Sequence, residues 1–282
     1  MRIGYYPGCS LESSSLEYNS SIKDVCGRLG IELNELEDWN CCGATSAHCI
    51  DEDAAFRLSA RILEIAEQTG LDLAVPCSGC FSRLKFAEKN AKTDRFKNQT
   101  SFNGSIRIID MLSLLSSQET IEKIESLITK PLSNLKVAAY YGCMSLRPPK
   151  ITGITDCENP GIMERIISAV GAESVVWSFS TICCGGGLSL SRTDITRKMM
   201  FRIFDMADEA DVDCLVTSCP MCQANLDTRM KEISREYSRN FNIPVVYFTE
   251  LLGLALGSKK AKKWFKSHLV NPVKILKQRG LI

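Results

Sequence analysis

The sequence predicts an α/β protein of two pseudo-symmetric domains, each a small, mainly parallel sheet flanked by helices. A five-cysteine pattern occurs twice, and the residues around each copy repeat with it. Apolar runs of strand length also alternate with amphipathic stretches of helix length.

One cysteine set is Cys9, the pair Cys41-Cys42, and Cys77-Ser78-Gly79-Cys80. The other is Cys143, Cys183-Cys184, and Cys219-Pro220-Met221-Cys222. In both, 34 residues separate the pair from the CxxC, while the gap before the pair is 31 residues in one and 39 in the other. Ten of fourteen cysteines obey this scheme, so chance is a poor explanation. The flanks agree: Ile3-Gly4-Tyr5-Tyr6-Pro7-Gly8-Cys9 parallels Val137-Ala138-Ala139-Tyr140-Tyr141-Gly142-Cys143. The repeat predicts domains over 1–130 and 135–257, a linker at Pro131-Leu132-Ser133-Asn134, and a basic C-terminal tail over 258–282.

Within each copy a short β-run ends at the first cysteine. A helix follows (Tyr18 to Leu29; Ile162 to Val170), then a second strand (Ile31–Leu36; Val175–Phe179) that stops at the cysteine pair. An amphipathic helix comes next, with Ala55, Leu58, Ile62, Ile65 and Ala66 on one face. Its counterpart carries Ile195, Met199, Ile203 and Met206. A buried strand (Leu73–Pro76; Leu215–Ser218) then delivers the CxxC into another helix. In parallel sheets ligands collect beyond the carboxyl ends of strands, so the three cysteine elements of each copy can converge there.

Bulk properties narrow the function. A net charge of +1 gives no nucleic-acid bias. No secretory leader is visible, and the longest apolar stretch, Val245 to Leu256, is too short to span a bilayer. A cytoplasmic location is expected, and there a cysteine-rich chain points to metal or redox work rather than to disulfides. Zinc takes four ligands, and a vicinal pair does not readily place both sulfurs on one ion. Thiolates without histidine at ligand spacing favour iron–sulfur chemistry, although two structural zinc sites remain an alternative. Glycines after each pair (Gly43; Gly185, Gly186, Gly187) let backbone approach a cluster and donate N–H groups to it.

The doubled pattern resembles the cysteine-rich CCG domain family. The runs Tyr5-Tyr6-Pro7-Gly8-Cys9 and Tyr140-Tyr141-Gly142-Cys143 are most similar to the B-type subunits of CoB–CoM heterodisulfide reductases. The resemblance covers about residues 1–255 and implies two noncubane [4Fe-4S] clusters. The first would be held by Cys9, Cys41, Cys42, Cys77 and Cys80, the second by Cys143, Cys183, Cys184, Cys219 and Cys222. It further implies an oxidoreductase that cleaves or forms a small-molecule disulfide between the clusters. Electrons would come from a C-type [4Fe-4S] subunit and an A-type flavin subunit. The first copy reads Cys41-Cys42-Gly43-Ala44-Thr45-Ser46-Ala47-His48, where methanogen members carry proline after the pair, so the likeness leans toward bacterial members. Two alternatives stay open: an electron-transfer subunit of a lactate, glycerol-phosphate or succinate system linked to quinone, and a zinc-stabilised assembly scaffold.

Other residues carry weaker signals. His48 could donate a proton to a departing thiolate, or be an ordinary loop histidine. Arg147 and Lys150 could bind an anionic group of the substrate, or be solvated charge; Arg83 and Lys85 share that ambiguity. Cys26 and Cys214 read as core residues, Cys49 and Cys157 as loop thiols. From Ser258 onward the chain has seven lysines, one arginine and no acid, interleaved with Trp264, Phe265, Leu269, Val270, Ile275 and Leu276. This reads first as a partner-docking tail, next as a solvated helix, and last as a peripheral membrane contact.

Overall fold

The computed structural model describes residues 1–44 and 47–282. Thr45 and Ser46, within the Cys41–His48 run singled out above, lie outside the described residues.

Two four-stranded sheets, parallel throughout, form the framework. The first is ordered β2-β1-β3-β4, with β1 at Arg2–Tyr5, β2 at Glu32–Glu35, β3 at Leu73–Val75 and β4 at Ile108–Asp110. The second is ordered β6-β5-β7-β8, with β5 at Lys136–Ala139, β6 at Glu173–Ser174, β7 at Cys214–Thr217 and β8 at Val245–Tyr247. Past the charged first residues Arg2 and Lys136, the central strands of each sheet are buried throughout, as parallel sheets covered on both faces require.

The helices interlock the halves. Helix Phe248–Ala255, which follows β8, packs on Leu16–Arg28 of the first half. Its counterparts after β4, Met111–Leu115 and Gln118–Leu127, pack on Ile162–Ala169 of the second half. Each half therefore covers the other's first long helix, and one hydrophobic core runs through both.

Three sequence expectations differ from the structure. The second strand of the second copy, expected over Val175–Phe179, is only Glu173–Ser174. Beyond it the Trp177 indole donates to the Ala139 carbonyl at 2.8 Å, so a side chain takes over where strand pairing stops. The buried face of helix Thr193–Glu209 is Thr196, Met200, Ile203, Phe204 and Ala207, one position round from the expected stripe. Met199 instead borders an open pocket with Phe179 and Ile182. The expected partner-docking tail directs most of its apolar side chains inward, Leu269 remaining exposed. Trp264, Phe265, Val270 and Leu276 are buried, and a Cβ added at Gly253 would meet the Trp264 ring at 2.6 Å. Arg279 grips Asp213 through two hydrogen bonds, at 2.9 and 2.7 Å. Lysines remain on the outside of this segment.

Candidate functional site: two cysteine sets at one seam

Each set assembles from the same three elements, past the carboxyl ends of strands. β1 and β5 lead to Cys9 and Cys143. The loops after β2 and β6 carry the pairs. β3 and β7 lead into the CxxC turns, which open helices Ser78–Asn90 and Pro220–Glu236. Cys77 and Cys219 are the N-caps of these two helices.

The supports repeat as well. The Tyr6 hydroxyl donates to the carbonyl of Asn40, the residue before the first pair, at 2.8 Å. The Tyr140 hydroxyl donates to that of Ile182, before the second pair, at 2.7 Å. The carbonyl of Cys42 accepts from Ser59 Oγ at 3.2 Å, and that of Cys184 from Asn225 Nδ2 at 2.9 Å. Gly43 and Gly185 adopt positive φ and turn their N–H groups onto Cys41 Sγ (3.4 Å) and Cys183 Sγ (3.3 Å). Gly8 and Gly142 are more constrained: besides positive φ, an added Cβ would stand 2.9 Å from Cys80 Sγ and 2.7 Å from Cys222 Sγ.

The sulfurs form linked runs. In the first set Cys42 Sγ lies 3.2 Å from Cys80 Sγ, with Cys41 a close electrostatic neighbour of Cys42 and Cys77 of Cys80. In the second, Cys184 Sγ lies 3.7 Å from Cys222 Sγ, with Cys219 a close electrostatic neighbour of Cys222 and Cys143 of Cys183. Among the described residues, no group of three or more Cys, His, Asp or Glu side chains is gathered so that it could hold a metal ion. Its close neighbours Cys41 and Cys80 hold the Cys42 thiol well below its ordinary value, and Cys143 holds Cys183 at about 6, with the Gly185 N–H and the Arg147 charge adding to it. The Cys222 hydrogen bond pulls Cys219 to about 7. These neighbours keep their protons.

The two sets share a wall. The Tyr18 hydroxyl, fully buried, lies 3.1 Å from the Ser218 carbonyl and 3.5 Å from the Pro76 carbonyl, the residues before the two CxxC turns. Ser78 of the first turn faces Cys219 of the second. Tyr18 in turn stacks on Tyr247 with ring centroids 4.0 Å apart.

The residues singled out beyond the ten cysteines are less central. His48 sits half-buried in helix Ala47–Ile50, with Nε2 3.5 Å from Cys49 Sγ, a cysteine outside the repeat. Arg147 is spoken for, donating to the Thr181 carbonyl at 3.0 Å and to Glu158 at 2.6 Å. Lys150 is exposed. Arg83 lies over the Phe86 ring and Lys85 pairs with Glu88. Cys26, Cys157 and Cys214 are buried; Cys157 lies in a loop, as expected, and its thiol donates to the Leu146 carbonyl at 3.2 Å, whereas Cys49, expected in a loop, falls in helix Ala47–Ile50. Sequence reasoning missed Tyr6, Tyr140, Tyr18, Tyr247 and Ser78. The tyrosine three residues before each first cysteine was a legible signal; the others had none.

Comparison with known proteins agrees with this architecture. The family model for the cysteine-rich domain, CCG, matches residues 3–85 and 137–227. A relative from Wolinella succinogenes, the 8-methylmenaquinol:fumarate reductase membrane anchor subunit, is 34% identical, covering 96% of this chain and 98% of its own. The B-type subunit of ferredoxin:CoB-CoM heterodisulfide reductase from Methanosarcina mazei is 28% identical over 98% of this chain and 96% of its own. The crystal structure of a hypothetical protein from Helicobacter pylori superposes with a TM-score of 0.70 at 12% identity, which speaks to the fold. That match covers 96% of this chain and 52% of the Helicobacter chain, so this chain spans about half its length. No helix among the described residues is long and apolar enough to cross a membrane.

Proposed function

The chain belongs to the cysteine-rich CCG domain family, and on that premise we propose that it is the iron–sulfur, electron-handling subunit of a multisubunit oxidoreductase. The observation that carries this reading is that the CxxC turns of two matching five-cysteine sets meet at one buried tyrosine hydroxyl. Each set fits a multi-iron centre. Every donor is a thiol, the sulfurs run in linked pairs instead of crowding one point, and glycines clear the approach.

In the finer form of the proposal, Cys9, Cys41, Cys42, Cys77 and Cys80 hold one noncubane [4Fe-4S] cluster, and Cys143, Cys183, Cys184, Cys219 and Cys222 the other. Such centres supply one-electron redox chemistry and soft iron for sulfur ligands. The protein's own residues set the spacing: Tyr18 ties both CxxC turns to one hydroxyl. Reduction of a disulfide needs two electrons and places for two sulfurs, and two adjacent centres provide both. Arg147 beside Cys183 supplies positive field, and Lys150, in no ion pair among the described residues, is free to meet an anionic group of the substrate. Partners would be a C-type [4Fe-4S] subunit and an A-type flavin subunit.

The Wolinella relative favours a second reading, in which the same centres pass electrons to or from a quinone without disulfide chemistry. An anaerobic assay separates them. The reduced, iron-loaded protein is offered a panel of small disulfides and, separately, a water-soluble menaquinone analogue. Release of two thiols per disulfide supports the first reading. Quinone reduction with no thiol release contradicts it and supports the second.

A further inference from the structure

Gln223, next to the last cysteine of the second set, enters a buried polar cluster; the first half has Phe81 at that place. At its centre is His268, 4% exposed, whose Nε2 lies 2.9 Å from one oxygen of Glu250 and 3.0 Å from the other. Glu250 is fully buried and also accepts the Tyr247 backbone N–H at 2.9 Å. His268 Nδ1 stands 2.8 Å from Gln223 Nε2. Asp227 accepts the backbone N–H groups of Leu269 and Val270, both at 2.8 Å. Half-buried Glu17, on helix Leu16–Arg28, and the phenol of Tyr247 complete the titratable groups facing the imidazole.

These neighbours make opposed demands. Burial disfavours the imidazolium, but Glu250, Asp227 and Glu17 outweigh it and hold the His268 pKa above its ordinary value. Gln223 asks for the opposite. Its N–H groups point at Nδ1 because Asp227 Oδ2 and the Val245 carbonyl, each at 3.3 Å, call for the same donors. In that arrangement Nδ1 accepts and the ring is neutral. Taking up one proton turns the Gln223 amide, so that Oε1 receives Nδ1–H while Nε2 gives up its 3.3 Å contacts to Asp227 Oδ2 and the Val245 carbonyl. The cluster therefore has two accessible states that differ by one proton.

We propose that His268 is a proton-holding site for the second cysteine set: when that set gains one negative charge, Nδ1 takes up one proton and Gln223 turns to accept it. The proposal rests on the iron–sulfur reading above. One electron comes from a one-electron carrier of iron–sulfur type, and one proton from solvent. Only an N–H bond forms, so the buried half gains no net charge, which avoids the cost of an uncompensated buried ion. The Tyr247 hydroxyl, 3.4 Å from Gln223 Oε1 and 3.0 Å from Ser15 Oγ, extends the hydrogen-bonded chain toward the start of helix Leu16–Arg28.

The test is a redox titration, followed optically and by electron paramagnetic resonance, of the full-length, iron-loaded protein with dye mediators from about pH 6 to about pH 9. The centres are assigned with Cys42→Ser, which leaves only the second set complete. In the intact protein the second centre's potential is expected to fall with pH by up to about 59 mV per unit, one proton per electron, while the first stays flat. His268→Gln should flatten the slope. Gln223→Met, which keeps the imidazole and removes the donor that holds it neutral, should move the sloping region to higher pH. Two loaded centres with flat potentials, or a slope unchanged in both variants, overturn the proposal and leave the iron–sulfur reading standing. A chain that binds no iron overturns both.

Discussion

In the first half, Cys9 and Cys41 are exposed; in the second, their counterparts Cys143 and Cys183 are half-buried. Behind the first CxxC helix lies Phe81, and behind the second lies Gln223 with Glu250, Asp227 and His268. The C-terminal segment packs its histidine and two aromatic rings into the chain's interior, and Leu269 and Val270 rest on Asp227 of the second CxxC helix. Yet the parts that aim the sulfurs are the same in both: a tyrosine on the carbonyl before the pair, a left-handed glycine after it, and a glycine with no room for a Cβ. The repeat has preserved what gathers thiolates and has varied what surrounds them. One site is open to solvent and apolar behind; the other is sheltered and backed by titratable groups.

The comparison can be broken most decisively at the cysteines. Cys42→Ser and Cys184→Ser should each remove one centre, halving the iron from about eight to about four per chain and abolishing electron delivery to substrate. Unequal losses would mean that one half is not a working copy of the other. Next come the two glycines. Gly8→Ala and Gly142→Ala each place a side chain at positive φ, costing about 1–2 kcal/mol, and drive a methyl against a cysteine sulfur. Denaturant unfolding should show both losses, the larger at Gly142, where the approach is closer. Tyr6→Phe and Tyr140→Phe should cost about 1 kcal/mol each, nearly equally, if the two supports are equivalent.

The smallest effect concerns charge. In the metal-free chain Cys183 is held at about 6, below the ordinary thiol value. A depressed pKa contributes stability above the unfolded value of about 8.5 that is lost as pH falls through about 6. Alkylation of Cys183 should accordingly switch on near that pH. Arg147→Met, removing one of the weaker causes, should slow it at neutral pH by less than about tenfold.

Much of this was legible in sequence because the repeat carried it. Cysteine spacing and alternating apolar runs gave the α/β architecture and both sets. β4 and β8 were not read, because each merges into the apolar helix that follows and short apolar runs do not distinguish strand from helix. The face of Thr193–Glu209 was misread by one position, since Met and Ile occupy both flanks of its buried stripe. The interlocked helices, the Tyr18 bridge and the place of His268 depend on contacts between distant parts of the chain, about 200 residues apart for Tyr18 and Ser218. No local pattern encodes those. The lysines of the C-terminal segment hid its role, because charge on one face says nothing about what the other face buries.

Anaerobic metal and sulfide analysis of the full-length protein, joined to Mössbauer spectroscopy, puts the ten thiolates to the most direct trial. About eight irons with matching sulfide, in two four-iron centres, is the expected result. One or two tightly bound zinc ions and no sulfide would contradict it.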